Sequence, residues 1–170
     1  VELETIASAA QAAEIAPKFG IPVQNFIVGD RDGNISWTLA GRIPARSPDY
    51  NAQIPADWTP PDTGWQGWLD PDDYPELHNP PSKRLWSANS RTVSGEQLAL
   101  LGNGGFDLGA RALQIRDRLF ASERFDSDEM QAIQLDYRAL LLTRWHHLLQ
   151  TTLESAHGNA SWVEALQTAL

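Results

Sequence analysis

Alternation of apolar and polar positions is clearest between residues 25 and 40. Residues 25–29 read Asn-Phe-Ile-Val-Gly, a β-type run, and residues 35–40 read Ile-Ser-Trp-Thr-Leu-Ala, with apolar side chains alternating with small or polar ones. Asp32-Gly33 lies between the two runs, and Asp-Gly is typical of a tight turn because the turn requires a positive φ. The pattern predicts an antiparallel β-hairpin.

Helical spacing precedes and follows this hairpin. A helix is predicted over residues 2–18, ended by Gly20 and Pro22, because apolar residues recur at helical spacing in an alanine-rich background: Leu3, Ile6, Ala7, Ala10, Ala13 and Ala16. Three more helices are predicted at 107–122, 127–153 and 161–170. The apolar stripe of the first comprises Leu108, Ala112, Ile115 and Leu119, and Ser127 is the predicted N-cap of the second.

Residues 43–83 show neither period, and nine of the eleven prolines fall there. A connection of this length usually shapes a site or wraps a core, and its tryptophans argue against disorder. Residues 85–88 are predicted as a short strand. The fold class is therefore α+β: helix, β-hairpin, long Pro/Trp-rich loop, strand and C-terminal helices. About three strands make a thin sheet for this length, which indicates that residues outside the chain complete it.

Charge and composition exclude several classes of function. The chain has 13 basic and 22 acidic residues, a net charge of −9, which argues against nucleic-acid binding because that binding relies on clustered cations. It contains no stretch near the ~18–20 apolar residues of a membrane span. Cysteine is absent, so disulfides, thiol nucleophiles and cysteine-ligated zinc are excluded.

Metal-binding patterns are weak. Asp30, Asp32 and Asn34 resemble the start of a calcium loop, but position 41 is glycine where that loop requires a glutamate, so a plain hairpin turn is favoured. His146 and His147 are adjacent on a predicted helix and point about 100° apart, so they cannot share a metal. No metal ligands are predicted.

The tryptophans allow two interpretations. Trp58, Trp65, Trp68 and Trp86 would form a stacking platform for a sugar or the wall of an apolar pocket, or else the packing that rigidifies a proline-rich loop. The packing role is favoured. An acidic cluster nearby, Asp70, Asp72, Asp73 and Glu76, fits a solvated turn better than a pair of catalytic carboxylates.

Several motifs occur in an order that resembles the penicillin acylase family of N-terminal-nucleophile amidohydrolases, which includes cephalosporin and acyl-homoserine lactone acylases. The motifs are the strand-turn-strand of residues 25–37, Ala40-Gly41-Arg42-Ile43-Pro44-Ala45-Arg46, Gly64-Trp65-Gln66-Gly67-Trp68, Asn79-Pro80-Pro81-Ser82, Ala88-Asn89-Ser90, and Gly109-Ala110-Arg111 followed by Ile115-x-x-Arg118-Leu119. Together they cover roughly residues 2–150.

The resemblance implies a fold and a mechanism. Residues 1–170 would be a single segment of the large (beta) catalytic subunit, within a sandwich of helices, two sheets and helices. In this family an autoproteolytic precursor, a zymogen, exposes an N-terminal serine that attacks an amide carbonyl with its own amine as base. The chain begins with Val1, so that serine is expected upstream. Asn89 matches the asparagine that binds the oxyanion, and Arg111 matches the arginine that organises the site.

The resemblance also implies a function. The parent would hydrolyse the amide of an N-acylated small molecule of the penicillin, cephalosporin or acyl-homoserine lactone type, with Trp65, Trp68 and Trp86 at the substrate or bracing the loop beside it. Its expected partners are the rest of the large subunit and the small (alpha) subunit. No cofactor is expected in the chemistry, a structural calcium ion is possible in the parent, and the expected compartment is the periplasm. The alternative is a non-catalytic, Trp-rich ligand-binding or assembly domain.

Overall fold

A computed structural model describes residues 2–47, 51, 54–102, 104–155 and 161–169. Its strands are β1 (Gln24–Gly29), β2 (Ile35–Ala40), β3 (Pro44–Arg46), β4 (Trp65–Trp68) and β5 (Leu77–His78). Its helices are α1 (Ala9–Ile15), α2 (Gly95–Leu101), α3 (Ala110–Leu119), α4 (Ser127–Gln134), α5 (Thr143–Ser155) and α6 (Ser161–Ala169), with 3₁₀ turns at Glu2–Glu4, Ala16–Lys18, Pro71–Asp73 and Leu140–Leu142. The predicted α+β class is confirmed.

Contacts divide the chain into two compact units, Val1–Leu119 and Phe120–Leu170. The first unit contains all five strands and helices α1 to α3, and the second contains helices α4 to α6. Both predicted members of the site, Asn89 and Arg111, therefore belong to the first unit.

The predicted hairpin is confirmed. Strands β1 and β2 pair antiparallel from Gln24–Ala40 to Gly29–Ile35, and β5 adds a short third strand on the other edge of β2. The Asp30 carboxylate closes the turn by accepting the backbone N–H groups of Asp32 and Asn34 at 3.0 and 2.9 Å. It also accepts the N–H of Ala9, so the turn and the start of α1 share one anchor.

A small core lies between the hairpin and the long loop. Its buried members are Trp37, Leu39, Ile43, Leu69 and Tyr74, and Leu85, Val93 and Leu101 pack against them. The Tyr74 hydroxyl donates to the Gly41 carbonyl at 2.9 Å and accepts the Ile43 N–H at 2.8 Å. Burial raises the pKa of this hydroxyl. Gly41 has φ +98°, and a Cβ there would lie 2.5 Å from the Ile21 carbonyl oxygen, so only glycine fits.

The helix predicted over residues 2–18 is shorter, and only Ala13 and Ala16 of its predicted positions are buried. Helix α1 begins at Ala9 because the Ser8 side chain accepts the Gln11 N–H and caps it. The buried positions of α1 are Ala9, Ala12 and Ala13, whereas Ala10, which belongs to the predicted spacing, is exposed. A run of alanines contains too little contrast in side-chain size to reveal which face is buried.

The loop predicted over residues 43–83 contains more regular structure than its prolines suggest. Strands β3 and β4 form a separate two-stranded sheet, and β5 joins the main sheet. Each is four residues or shorter, too short to show a period in the sequence. The prediction that this segment wraps the core is supported by Leu69 and Tyr74, both core members.

The strand predicted at residues 85–88 is wrong, because no ladder forms there. The segment is held through Leu85, which packs on the core, and through the Ala88 carbonyl, which accepts an Asn25 side-chain N–H. Pairing occurs only afterwards, as a parallel bridge between Ser90 and Asp107. That bridge occupies Asp107, so α3 begins at Ala110 instead of the predicted residue 107, and Leu108 is 77% exposed instead of lying on an apolar stripe.

The second unit differs from its prediction in two ways. The N-cap of α4 is Asp126, not Ser127, and it forms a capping box with Glu129. The single helix predicted over 127–153 is interrupted after Gln134, where the Asp136 carboxylate accepts the N–H groups of Arg138 and competes with helical bonding. The predicted helix at residues 161–170 is observed as α6, with residue 170 outside the described part.

Within the described residues no helix combines the length and apolarity needed to cross a bilayer.

Candidate functional site

Asn89, Arg111 and Asp107 form a polar cluster on the first unit, called here the Asn89 site. Nη2 of Arg111 donates to Oδ1 of Asn89 at 2.7 Å and contacts Oδ2 of Asp107 at 3.2 Å. Arg111 lies in the first turn of α3, and Asn89 lies in the segment that enters the Ser90–Asp107 bridge. The structure thus joins two residues that are 22 positions apart in sequence.

The contact with Arg111 fixes the orientation of the Asn89 amide. A guanidinium group only donates hydrogen bonds, so the atom that it meets must be the amide oxygen, and the NH₂ group is turned away from it. Among the residues that the structure describes, this NH₂ group has no hydrogen-bond partner. Asn89 is exposed, and its two N–H donors are available to an external acceptor.

The ion pair in the site contributes little to stability. The side chains of Arg111 and Asp107 are 61% and 63% exposed, and pairs in that environment typically contribute about 0–1 kcal/mol. Its effect is geometric, because Arg111 is held between a carboxylate and the amide oxygen that it orients. The arrangement can present a neutral donor, backed by a cation, to an oxygen that becomes negatively charged.

Trp65 and Trp68 lie on β4 and share one face of the small sheet. Arg46 pairs with Trp65 and Pro44 with Trp68, across a bulge that leaves Gln66 unpaired. Opposed residues lie on the same face of a sheet, as do Pro44 and Arg46 at positions i and i+2, so the bulge brings both indoles to one side. The two tryptophans are 56% and 57% exposed.

The ring contacts of these tryptophans are with residues outside the Asn89 site. Trp65 packs edge-on against Trp58, with ring centroids 6.1 Å apart, and the Arg42 guanidinium lies 6.0 Å from the Trp68 ring centroid. A Cβ at Gly64 would lie 2.5 Å from the Trp58 ring, so glycine permits that packing. Trp86 is half-buried. The predicted role of Trp65, Trp68 and Trp86 at a substrate stays a prediction.

The sequence did not reveal a second polar cluster, centred on a contact between Ser36 and His78. Ser36 Oγ and His78 Nδ1 are 2.6 Å apart, and His78 Nε2 lies 3.0 Å from the Asn79 side-chain nitrogen. Asn79 also accepts the Ile35 N–H and donates to Asn34, which in turn donates to Asp30. We call Ser36, His78, Asn79, Asn34 and Asp30 the Ser36 cluster.

A serine hydroxyl beside an imidazole invites comparison with an activated nucleophile, but the hydrogen bonds oppose that role. The Asn79 side-chain oxygen accepts the Ile35 N–H, so the nitrogen that faces His78 Nε2 belongs to the Asn79 NH₂ group. Because that group can only donate, His78 Nε2 must accept its hydrogen bond. Neutral His78 therefore carries its proton on Nδ1 and donates to Ser36 instead of accepting the serine proton. Ser36 is also 0% exposed, so a substrate cannot reach it. The cluster is structural.

The Asp30 carboxylate is used in folding, and the described residues show no metal site. Hydrogen bonds from Ala9, Asn34 and Asp32 lower the pKa of Asp30 to about 2. Its oxygens close the hairpin turn, in agreement with the turn favoured over a calcium loop. Across residues 2–155 and 161–169, excluding the undescribed positions, no group of three or more His, Asp or Glu side chains could hold a metal ion.

Comparison with known proteins establishes the family. The sequence model of the penicillin amidase family matches residues 1–168. The chain therefore belongs to the penicillin amidase family, and the resemblance seen in the order of its motifs is confirmed.

Individual relatives are more distant. The chain is 29% identical over 127 residues to the penicillin acylase 2 proenzyme of Pseudomonas sp. strain SE83. This alignment covers 75% of the chain and 16% of that protein. It is 28% identical over 120 residues to the acyl-homoserine lactone acylase QuiP of Pseudomonas aeruginosa, covering 71% of the chain and 14% of that protein. The chain therefore spans less than a fifth of the length of either relative.

A solved structure supports the fold. The thermostable penicillin G acylase from Alcaligenes faecalis superposes with a TM-score of 0.65 at 18% identity, covering 98% of this chain and 30% of that chain. At this identity the match concerns the fold alone, and it agrees with the predicted N-terminal-nucleophile hydrolase architecture.

Proposed function

We propose that this chain is a segment of the large catalytic subunit of an amidohydrolase that cleaves the amide of an N-acylated small molecule. Membership of the penicillin amidase family supports this, as do relatives named as acylases of penicillin and of acyl-homoserine lactones. The substrate would be of the penicillin, cephalosporin or acyl-homoserine lactone type, and the products an acid and an amine, or an acid and a homoserine lactone.

In the proposed mechanism, a serine at the N-terminus of the parent's large subunit attacks the amide carbonyl. The free amine of that serine takes the hydroxyl proton as the serine oxygen bonds to the carbonyl carbon. It then gives the proton to the leaving nitrogen as the C–N bond breaks, and an ester between the acyl group and the serine remains. Water then hydrolyses the ester. Both steps pass through a tetrahedral intermediate whose oxygen is negatively charged and requires donors held in place beforehand.

Asn89 is the proposed donor. The observation that carries the proposal is the 2.7 Å bond from Arg111 to the Asn89 oxygen, which turns the NH₂ group outward as a preoriented donor. A donor already aimed at the oxyanion needs no reorganisation when charge develops, which is the basis of electrostatic catalysis at such sites. Arg111 is proposed as the residue that organises Asn89.

Other features of the parent belong to the same proposal. We infer that it is made as a precursor that cuts itself, is exported to the periplasm, assembles from a large and a small subunit, and needs no cofactor for its chemistry, with a structural calcium ion possible. Trp65, Trp68 and Trp86 are proposed to supply apolar surface near the substrate or to brace the surrounding loop. The exposed indoles of Trp65 and Trp68 on one face support that role.

The kinetic test uses Asn89→Ala in the full-length enzyme. We expect the kcat to fall about 10²–10³-fold with a modest change in KM, because the lost donor acts on the transition state. The matched control is Gln97→Ala, which truncates an exposed amide on α2 and should leave both constants unchanged. Near-normal turnover by Asn89→Ala would remove Asn89 from this role.

The 170-residue chain alone is expected to be inactive, because the proposed nucleophile is not among its residues. Incubation with a chromogenic acyl-anilide, measured by release of the aniline, provides the test. Turnover above that of a heat-denatured sample would contradict the assignment of the nucleophile to residues outside this chain.

A non-catalytic ligand-binding role is the second candidate, favoured by the two exposed indoles on one face of the β3–β4 sheet. Quenching of tryptophan fluorescence by sugars or acyl amides, lost in a Trp65→Ala, Trp68→Ala double variant, would support it. Binding without turnover in the full-length protein would favour it over the enzyme.

A further inference from the structure

The side chain of Asn25, on β1, connects the hydrophobic core to the backbone just before Asn89. Its Nδ2 donates to the Ala88 carbonyl at 3.2 Å. Its Oδ1 accepts the indole N–H of Trp37 at 2.9 Å, and Trp37 is a core residue only 8% exposed. A packed indole therefore holds the amide that in turn holds residue 88.

This amide has only one workable orientation. An indole N–H can only donate and a backbone carbonyl can only accept, so exchanging Oδ1 and Nδ2 of Asn25 would break both bonds at once. The two partners lie in different parts of the fold, Trp37 on β2 and Ala88 in the segment that leads to the site. Asn25 therefore joins them with a defined geometry.

The backbone of Asn89 is fixed on its other side as well. The Asn89 carbonyl accepts the Asp107 N–H at 2.9 Å, next to the Ser90–Asp107 bridge. The Ala88 carbonyl belongs to the peptide plane before the Asn89 Cα, and the Asn89 carbonyl belongs to the plane after it. Because peptide groups are planar, anchoring both carbonyls restrains φ and ψ at residue 89 and so sets the direction of its Cα–Cβ bond.

We propose that Asn25 is a positioning residue for Asn89. It restrains the backbone of Asn89, while Arg111 orients the amide at the end of the same side chain. This inference rests on the proposed function of Asn89 as an oxyanion donor. Asn25 itself does not contact the reacting atoms. Through Asn25 the hairpin contributes to catalysis, and this role is separate from its turn and from its packing in the core.

The diagnostic substitution is Asn25→Asp in the full-length enzyme. The carboxylate can still accept the Trp37 N–H. Its other oxygen replaces Nδ2, so two acceptors face each other at the Ala88 carbonyl and that hydrogen bond is lost. Displacement of the Asn89 segment should lower the kcat about 10–10²-fold, since small misplacements of catalytic groups have effects of this order. The KM should change less than about threefold, because a transition-state interaction is affected.

The matched control is Gln24→Glu, the same change from amide to carboxylate one position earlier on β1, on the opposite face of the strand. It should leave kcat and KM at wild-type values. Thermal melts of both variants establish that folded enzyme is compared. If Asn25→Asp does not accumulate as folded protein, Asn25→Ala, which removes both hydrogen bonds without adding charge, replaces it in every arm.

A double-mutant cycle with Asn89→Ala decides the assignment. If Asn25 acts through Asn89, Asn25→Asp lowers the kcat in the wild-type background but has little further effect once Asn89 is alanine. The positioning role alone would be overturned if Asn25→Asp lowered the kcat equally in both backgrounds. It would also be overturned if Asn25→Asp left the wild-type kcat unchanged while Asn89→Ala was impaired. Near-normal turnover by Asn89→Ala itself would overturn the proposed function of Asn89 and this inference with it.

Discussion

The Ser36 cluster and the Asn89 site both contact the same β-hairpin. They differ in whether their polar groups keep a hydrogen-bond donor available to a substrate. In the Ser36 cluster, Ser36 is fully buried and the donors and acceptors of His78 and Asn79 face one another. In the Asn89 site, Arg111 occupies the amide oxygen and leaves the NH₂ group to the outside. A saturated network holds a fold together, whereas a site that acts on a substrate needs an oriented group left over.

After the loss of Asn89 itself, the largest expected effect comes from removing the cation that orients it. Arg111→Met in the full-length enzyme leaves Asn89 in place but lets its amide rotate, and we expect the kcat to fall about 10²-fold, as expected when a catalytic group is misplaced. Because the pair with Asp107 is exposed, the free energy of unfolding should change by no more than about 1 kcal/mol. Steady-state kinetics and urea unfolding measure both.

The matched control for that variant is Arg116→Met, an arginine on the same helix that is paired with Asp117. It should retain the wild-type kcat. Equal losses of rate in both variants would mean that Arg111 acts through the general charge of α3 and not through Asn89.

The Ser36 cluster is expected to show the opposite result. Ser36→Ala removes a partly buried hydrogen bond to His78, so the free energy of unfolding should fall by about 1 kcal/mol. The kcat per folded molecule should not change. A loss of turnover in this variant, with stability intact, would contradict the conclusion that the cluster is structural.

A smaller effect is expected from acidification, through the Asp30 carboxylate. Its pKa in the folded chain is about 2, below the usual value of about 3.9. A depressed pKa means that the ionised carboxylate stabilises the fold above pH 4, and that this stabilisation is lost as the pH falls toward 2. Urea midpoints of the chain between pH 5 and 2 should therefore fall.

Asp30→Asn should flatten that decline, because it removes the titrating group. Asp32→Asn is the control, since Asp32 supplies a backbone N–H to the turn and keeps it after substitution. An unchanged slope in Asp30→Asn would show that other carboxylates govern acid unfolding.

The smallest effect is expected for Asp107→Asn. The Asp107 side chain is mostly exposed and its bond to Arg111 is 3.2 Å long, so the free energy of unfolding should change by about 0–1 kcal/mol. The backbone N–H that holds the Asn89 carbonyl is retained. A kcat reduced by more than about tenfold would make the carboxylate, and not the backbone of Asp107, the important part of this residue.

The elements predicted correctly from sequence are those encoded locally. The hairpin follows from Asp-Gly between two β-type runs, and all its partners lie within 16 residues. The boundaries of α1 and α4 were less visible, because Ser8 and Asp126 cap them through side-chain bonds that several nearby polar residues would also have permitted. Strand β5 has only two residues and no period to detect.

The sites depend on contacts that no local pattern contains. Ser36 and His78 are 42 positions apart, and nothing in the sequence around either indicates the other. Only the resemblance to a family singles out Asn89 and Arg111, because an asparagine near a predicted strand end and an arginine in a helix are unremarkable alone. Their contact depends on the Ser90–Asp107 bridge, which also makes α3 begin later than its apolar pattern predicts.

The most direct test of the account is a crystal structure of the full-length enzyme with a phosphonate analogue of the tetrahedral intermediate attached to the nucleophilic serine. We expect Nδ2 of Asn89 to lie about 2.7–3.1 Å from the anionic oxygen, with Oδ1 of Asn89 still hydrogen-bonded to Arg111. An Nδ2 more than about 3.5 Å from that oxygen, beyond hydrogen-bonding distance, would contradict it.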